Sequence, residues 1–503
     1  MRCLGAAASG LVLSLAFEPV VVPWVLPFAV AGLLVCIAGL RPGRAWWPGL
    51  AFGVAFYFTH IWWMRAVATA AWIALAGIEA LFYGLFAVFA AALMTRRMWP
   101  VWVSAAWVTI EIWRSQWPFS GMPWGRLAFA TVDTPVEWSL PWIGMVGVSL
   151  VLALLSALLA WMVLTRGARW HGVLAIVVVL AGIGLADAVR FALPVTGERT
   201  IAAVQGDVPG PGNDILYDYR GVTRNHVDAT LGLAADVAAG RRPRPDFVVW
   251  PENSTAVDPF TDLETNGGIR RAASAIGVPV LVGAIVDDGE KYVLNQGIVW
   301  DPVTGAGDRY TKRHPVPYGE YIPLRRYIDA NFGQLAQITR DMRAGTRSAP
   351  LTIAGVRVAD AICFDVAYDD GLRAQIEGGA QLVTVQTSNA TFIFTDQTDQ
   401  QFAITRLRAI ETGKWVVVAS TNGVSGVIDP DGDVVDTAPK RTTSVLLDRV
   451  ELRDGVTPGV RWGVWIGRVC IGTTLLGLIL VTLPYRRYRK VRSPAPAMEE
   501  EPA

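Results

Sequence analysis

The sequence predicts an α-helical membrane domain of about eight transmembrane helices, with an α/β domain of mixed strands and helices placed before the last of them. Three observations carry this prediction. The 503 residues are 52% hydrophobic and only 17% charged, too apolar for an ordinary soluble enzyme, so lipid must solvate part of the surface. Apolar runs fill residues 1–190 and return once near the carboxyl terminus. Between them the texture changes to short β-branched runs alternating with helix-like stretches.

The apolar runs lie near 3–17, 23–40, 48–64, 69–94, 99–115, 139–165, 171–190 and 462–484. A bilayer core asks for about 17–25 residues per span, so the first is marginally short. Residues 1–190 thus read as a seven-helix domain, 191–461 as the α/β domain, 462–484 as a last span and 485–503 as a basic, disordered tail. Arg2, Arg41 with Arg44, Arg96 with Arg97, Arg166 with Arg169, and the cluster Arg486–Arg492 share one side if every run crosses once. The other short loops carry Glu18, Arg65 and a mixed segment from Arg114 to Glu137. The positive-inside rule then puts both termini in the cytoplasm and residues 191–461 on the extracytoplasmic face of the plasma membrane. Most of the 21 Trp residues crowd around the apolar runs of the first third, where indoles favour the membrane–water boundary. Arg2 and the run after it also fit a secretory signal, but no clean small-residue cleavage site follows, which favours an uncleaved span. WPFSGMPWGRLAF, residues 117–129 with Trp124, reads either as an interfacial element that admits lipid or as an ordered, aromatic-anchored loop.

In the polar segment, RTIAAVQGDV, DFVVWPE, VPVLVGAIV, YVLNQGIVW, VRVADAICFD, AQLVTVQTSN, WVVVASTNG and TSVLLDRVEL read as strands, many apolar on both faces. Residues 215–238, 262–276, 366–378 and 397–412 read as helices, and GVIDPDGDVVD as a hairpin. A net charge of +1 and a pI near 7.7 leave no electrostatic footprint for nucleic acid. Scattered histidines and the absence of a C-x-x-C pair argue against a metal site.

Three strand-like runs end on reactive groups: FVVWPEN on Glu252, the run before YTKRHPVPYGEYIP on Lys312, and VADAICFD on Cys363. A lone cysteine in a buried strand is by default a small core hydrophobe, and Glu with Lys can be an ordinary ion pair. Against this, Cys363 is the only thiol of the polar segment, precedes a polar turn, and has acidic and basic partners at comparable strand ends. A carboxylate such as Glu252 can take the thiol's proton, and Lys312 can stabilise a developing oxyanion.

These stretches, with RLRAIETGKWVVVASTNGVSGVIDPDG, resemble the successive signatures of the nitrilase (carbon-nitrogen hydrolase) superfamily. Seven preceding spans and one following make the chain similar to its membrane-embedded branch, the apolipoprotein N-acyltransferases of bacteria. The resemblance implies an α-β-β-α sandwich with Cys363 as nucleophile, Glu252 as general base, Lys312 as oxyanion donor and Glu320 as a second essential glutamate. It implies phospholipid-dependent N-acylation of a diacylglyceryl-modified apolipoprotein through a cysteine thioester, with no cofactor, in a monomer of the bacterial inner membrane. Phe364, Asp365, Tyr318, Asn389 and Trp124 are candidates for substrate binding or support, and Arg406, Arg408 and Glu411 lesser ones. QGDVP at Gln205–Pro209 has Asp207 where the family usually has Asn. Phe364-Asp365 departs from the family's frequent Tyr-Glu, and SNATFIF from its S/T-N-D-x-W-F pattern. A membrane-tethered amidase and a catalytically weak scaffold for an envelope glycosyltransferase are the rival readings.

Overall fold

The computed structural model describes residues 1–165, 167, 169–327, 335–336 and 338–483. Arg166, Pro484, the tail 485–503 and its basic cluster lie outside the described residues. The amino-terminal third folds into α1 (Arg2–Ser14), α2 (Leu26–Ile37), α3 (Pro42–His60), α4 (Thr69–Leu93), α5 (Trp99–Arg114), α6 (Leu140–Leu164) and α7 (Arg169–Ala188). Pro27, Pro42, Pro100 and Pro141 sit in first turns, where a fixed φ suits the helix and a missing N–H leaves no bond unmade.

The α/β domain follows as β1 (Val195–Gln205), α8 (Tyr219–Ala238), β2 (Phe247–Val249), α9 (Leu263–Ile276), β3 (Val280–Asp288), β4 (Tyr292–Asp301) and β5 (Gly305–Thr311). Then come β6 (Asp341–Met342), β7 (Leu351–Ile353), β8 (Val356–Ile362), α10 (Asp370–Glu377), β9 (Leu382–Thr387), α11 (Gln397–Thr412), β10 (Val416–Ser420), the hairpin β11 (Ser425–Ile428) and β12 (Val434–Ala438), β13 (Ser444–Arg453) and α12 (Pro458–Thr482).

All eight apolar runs are thus helical, but among the described residues four helices are long and apolar enough to cross a membrane: Thr69–Leu93, Pro135–Leu164, Arg169–Ala188 and Pro458–Thr482. The expectation of eight spans is therefore met only in part. α1 and α2 are apolar but have 13 and 12 residues, roughly 20 Å of helix. α3 carries Arg44, Pro48 and His60, and the 16-residue α5 carries Glu111 and Arg114.

The strands form two sheets, ordered β13-β1-β2-β3-β4-β5, with β6 added beside β4, and β12-β11-β10-β9-β8-β7. β1, β2 and β3 run parallel, as do β8, β9 and β10. Side chains such as Ile201, Val249 and Leu281 of one sheet meet Val358, Ile362 and Val417 of the other. Ile269 and Ala272 of α9 and Leu233 of α8 cover the outer face of the first sheet. The outer face of the second, with Leu372 of α10 and Leu407 of α11, shares one apolar cluster with Phe56, Trp107 and Leu152 of the helical bundle. The sandwich is therefore α-β-β-α, and its last layer is also the floor of the membrane helices.

Two devices lock that floor. Gly144 adopts φ 65° and breaks α6; the freed N–H of Met145 donates to Glu411 Oε1 at 2.9 Å. Gln400 of α11 binds three interhelical loops at once: its Nε2 donates to Glu18 O (3.0 Å) and His60 O (3.3 Å), while its Oε1 accepts from Trp63 Nε1 (2.9 Å) and Trp124 Nε1 (2.7 Å). In the 117–129 segment Trp117 is exposed. Residues 121–132 are buried, and Arg126 pairs with Asp369 at 2.8 Å.

Buried Arg408 anchors the same floor, donating to Val366 O (2.8 Å), Ala367 O (3.1 Å) and Asp369 Oδ1 (2.8 Å), and pairing with Glu411. Replacing it leaves two carboxylates short of a partner, so Arg408→Met should destabilise the protein by about 3–5 kcal/mol. Arg241→Met breaks an exposed pair with Asp236 and should change stability by at most about 1 kcal/mol. Thermal unfolding midpoints of the two purified variants in detergent check this.

Candidate active site

The site is assembled at three strand ends. β2 stops at Val249; Trp250 N still bonds Leu281 O at 2.8 Å, and Pro251 then turns the chain so that Glu252 faces inward. That turn lies hard against β3, where a Cβ on Gly283 would stand 2.1 Å from Pro251 O, so only glycine fits. Lys312 directly follows β5, its N–H donating to Asn295 O at 2.9 Å. Cys363 directly follows β8 with φ 52°, a left-handed conformation uncommon for a side chain larger than glycine. This elbow sets the thiol at the mouth of the strand, packed against the edge of the inter-sheet core.

The charges converge. Lys312 Nζ lies 2.9 Å from Glu252 Oε1 and 2.7 Å from Glu320 Oε1, and all three side chains are almost wholly buried. Each carboxylate is fixed at a second point. Glu252 Oε2 accepts from Ser388 N at 2.9 Å, and Glu320 Oε2 from Val316 N at 2.8 Å. Asn295 Nδ2 bridges them, donating to Glu252 Oε1 at 2.7 Å and Glu320 Oε1 at 3.3 Å. Thr421 Oγ1 holds Glu252 O at 2.8 Å, and Thr421 O accepts from Asp207 N at 2.8 Å, which brings the QGDVP turn in as support behind the glutamate.

Burial opposes the charge on Lys312, but Glu252 and Glu320 together hold it well above the ordinary amine range. Burial raises Glu320, with Lys312 pulling the other way. Burial and then the negative charge of Glu252 push the Cys363 thiol up to about 12, against the lowering pull of Lys312. The resting sulfur is therefore a thiol. A base beside it is needed to make a nucleophile, and a cation beside it can receive oxyanion charge.

The remaining predicted residues take different places. Phe364 stacks on buried Trp124, ring centroids 5.7 Å apart, and meets Tyr368 edge-on at 5.2 Å, so both Phe364 and Trp124 support the elbow from the side of the helical bundle. Asp365 ties the elbow to the Lys312 loop. It accepts from Tyr310 Oη (2.9 Å), Arg313 N (3.1 Å), His314 N (2.8 Å) and His314 Nδ1 (3.1 Å), and these contacts lower its carboxyl despite burial. Tyr318 has φ 61° and packs edge-on to Phe119 at 6.4 Å. Asn389 lies behind the thiol, donating to Gln401 Oε1 at 3.1 Å. Gln401 Oε1 is itself 3.8 Å from Cys363 Sγ. Arg406, Arg408 and Glu411 lie away from the thiol, on the face that meets the helical bundle. Asn295 and Gln401 were not singled out from the sequence; amides inside NQG and QTDQQ carry no signal until the fold aims them.

A family model described as apolipoprotein N-acyltransferase N-terminal domain matches residues 9–158, and one described as carbon-nitrogen hydrolase matches 200–455. The chain is 33% identical to an apolipoprotein N-acyltransferase of Mycolicibacterium smegmatis, over 97% of this chain and 86% of that one. It is 30% identical to one from Pseudomonas putida, over 96% of each. The chain belongs to the apolipoprotein N-acyltransferase family. Among solved structures, an amidase of Nesterenkonia sp. is similar at 18% identity and TM-score 0.38, over 54% of this chain and 95% of that one. The family's two matched parts, the bundle and the sandwich, meet at the elbow of Cys363, where Trp124 of the first stacks on Phe364 of the second.

Asp365 is lowered in the folded state, so its stabilisation is fully present above the unfolded value of about 3.9 and is lost as pH falls through the folded one. Asp365→Asn should therefore lower the unfolding midpoint at pH 7 and flatten its fall below about pH 4. Melting curves from pH 3 to 8 check both parts.

Proposed function

We propose that this protein transfers an acyl chain from a phospholipid to the amino terminus of a diacylglyceryl-modified apolipoprotein, through a thioester on Cys363. The observation that carries the reading is the lone thiol at a strained strand end beside a buried ammonium shared by two carboxylates, in a chain of this family. Cys363 Sγ attacks the ester carbonyl carbon as its proton passes to Glu252. Lys312 donates to the oxyanion, and Glu320 keeps the ammonium in place. Collapse breaks the ester C–O bond, and Glu252 returns the proton to the departing lysophospholipid oxygen. The apolipoprotein amine then attacks the thioester carbon as Glu252 takes a proton from the nitrogen; the C–S bond breaks, the amide forms, and Glu252 returns that proton to the leaving sulfur. No cofactor enters this scheme.

The eight apolar helices act as the membrane anchor in this reading, with both termini cytoplasmic and the sandwich on the extracytoplasmic face. The placement of contacts supports it. The loops held by Gln400 follow α1, α3 and α5, whereas Arg41 and Arg44 lie after α2 and Arg96 and Arg97 after α4. Basic ends and domain-facing ends alternate, as helices that each cross once require. Both substrates are lipid-anchored, so a site held at the membrane removes one dimension of their search.

Full-length protein in detergent, given a phospholipid with a labelled acyl chain, should acquire a hydroxylamine-sensitive label that passes to a diacylated lipopeptide on its addition. Cys363→Ala should take no label, and Glu252→Gln should form it about 10²–10⁴-fold more slowly. Failure to label the thiol overturns the reading. Label released only to water makes the protein a hydrolase.

A further inference from the structure

A cavity of about 560 Å³ lies between α5, α6 and α12 on one side and α10 and α11 on the other. None of Glu252, Lys312, Glu320 and Cys363 lines it. Val146, Val464 and Ile471 give its helical wall an apolar stretch, with Arg126 and Arg468 beside it, and its domain wall is charged. The carboxylates there are engaged: Asp369 by Arg126 and Arg408, Asp370 by Arg313, and Glu411 by Arg408. Two lining arginines have no carboxylate partner among the described residues, Arg373 of α10 and Arg468 of α12.

Arg468 stands ten residues beyond Pro458, roughly 15 Å along the axis, inside a 25-residue helix apolar enough to cross a membrane. It is exposed, its guanidinium 4.5 Å from the Trp465 ring. A cation at that depth on a lipid-facing helix is unfavourable unless an anion meets it. The glycine face of α12 says where. A Cβ on Gly459 would stand 2.2 Å from Leu140 O and one on Gly467 2.8 Å from Ile112 Cδ1, yet one on Gly463 would meet nothing within 4 Å. The helix is closed onto its neighbours above and below this point and open in the middle.

We propose that this cavity binds an anionic phospholipid, its phosphate between Arg468 and Arg373 and an acyl chain along Gly463. Such a lipid is a bound companion, not the acyl donor. Its site shares a wall with the catalytic loops: His314 and Tyr368 line it, stacked at 3.7 Å, and His314 also bonds Asp365 beside Cys363. An occupied cavity thus steadies the Lys312 loop. The inference rests on α12 as a membrane span and is independent of acyl transfer.

The test uses full-length Cys363→Ala protein in phosphatidylcholine nanodiscs carrying a minor fraction of phosphatidylglycerol with a photoactivatable acyl chain. Crosslinks should map to the segment 463–471 and fall at least fivefold with Arg468→Leu, which makes an exposed position more apolar and leaves the fold intact. Gly463→Phe, filling the open space, should remove them. Diacylglycerol with the same chain, lacking the phosphate, should label the segment weakly and equally in wild type and Arg468→Leu. Labelling of this segment that is absent, or indifferent to the phosphate and to Arg468, overturns the proposal. Competition by millimolar glycerol 3-phosphate as strong as by unlabelled phosphatidylglycerol would make it a soluble-phosphate site and also overturn it.

Discussion

Everything at the site depends on one buried ammonium held between two carboxylates. An isolated lysine in that interior would shed its proton; Glu252 at 2.9 Å and Glu320 at 2.7 Å keep it charged. Burial, and then the negative charge of Glu252, hold the thiol of Cys363 up against the lowering pull of Lys312. In the proposed mechanism, proton removal and attack on a carbonyl are therefore coupled, with Lys312 available for the oxygen that becomes negative. The second anchors of the carboxylates, Ser388 N and Val316 N, and the bridge through Asn295 hold this geometry in place before substrate arrives.

That geometry is imposed from both domains. The elbow at Cys363 is pinned on one side by Asp365, which gathers one donor from Tyr310 of β5 and three from the Lys312 loop, and on the other by Phe364 against Trp124. Trp124 is in turn tied to Gln400, which also holds the loops after α1 and α3. A shift of the helical bundle would move the thiol relative to its base.

The proposed reactive residues leave a local signature in the sequence: apolar runs stop at Glu252 and Cys363, and Lys312 opens the polar turn of YTKRHPVPYGEYIP. Strand β5 was harder to see, since GAGDRYT lies at a sheet edge and buries little. Gln400 and Gln401 show where local sequence stops informing. They are adjacent and chemically identical, but a helix turns about 100° per residue, so one stitches membrane loops and the other faces the thiol. Asn295 is one of several polar residues in a strand, and only the register of β4 aims it at the glutamates. Helix ends are less legible for a related reason. Apolar composition continues past α1 to Phe17 and past α2 to Leu40, so the runs are longer than the 13- and 12-residue helices within them.

The most direct test of the coupled mechanism is the pH dependence of Cys363 alkylation by iodoacetamide, with Cys3, Cys36 and Cys470 replaced by serine. A resting thiol raised by burial and by Glu252 predicts a rate at neutral pH far below its alkaline value and still climbing above the ordinary thiol pKa of about 8.5. A rate already level from neutral pH upward would mean a preformed thiolate paired with Lys312, and would contradict Glu252 as the proton acceptor.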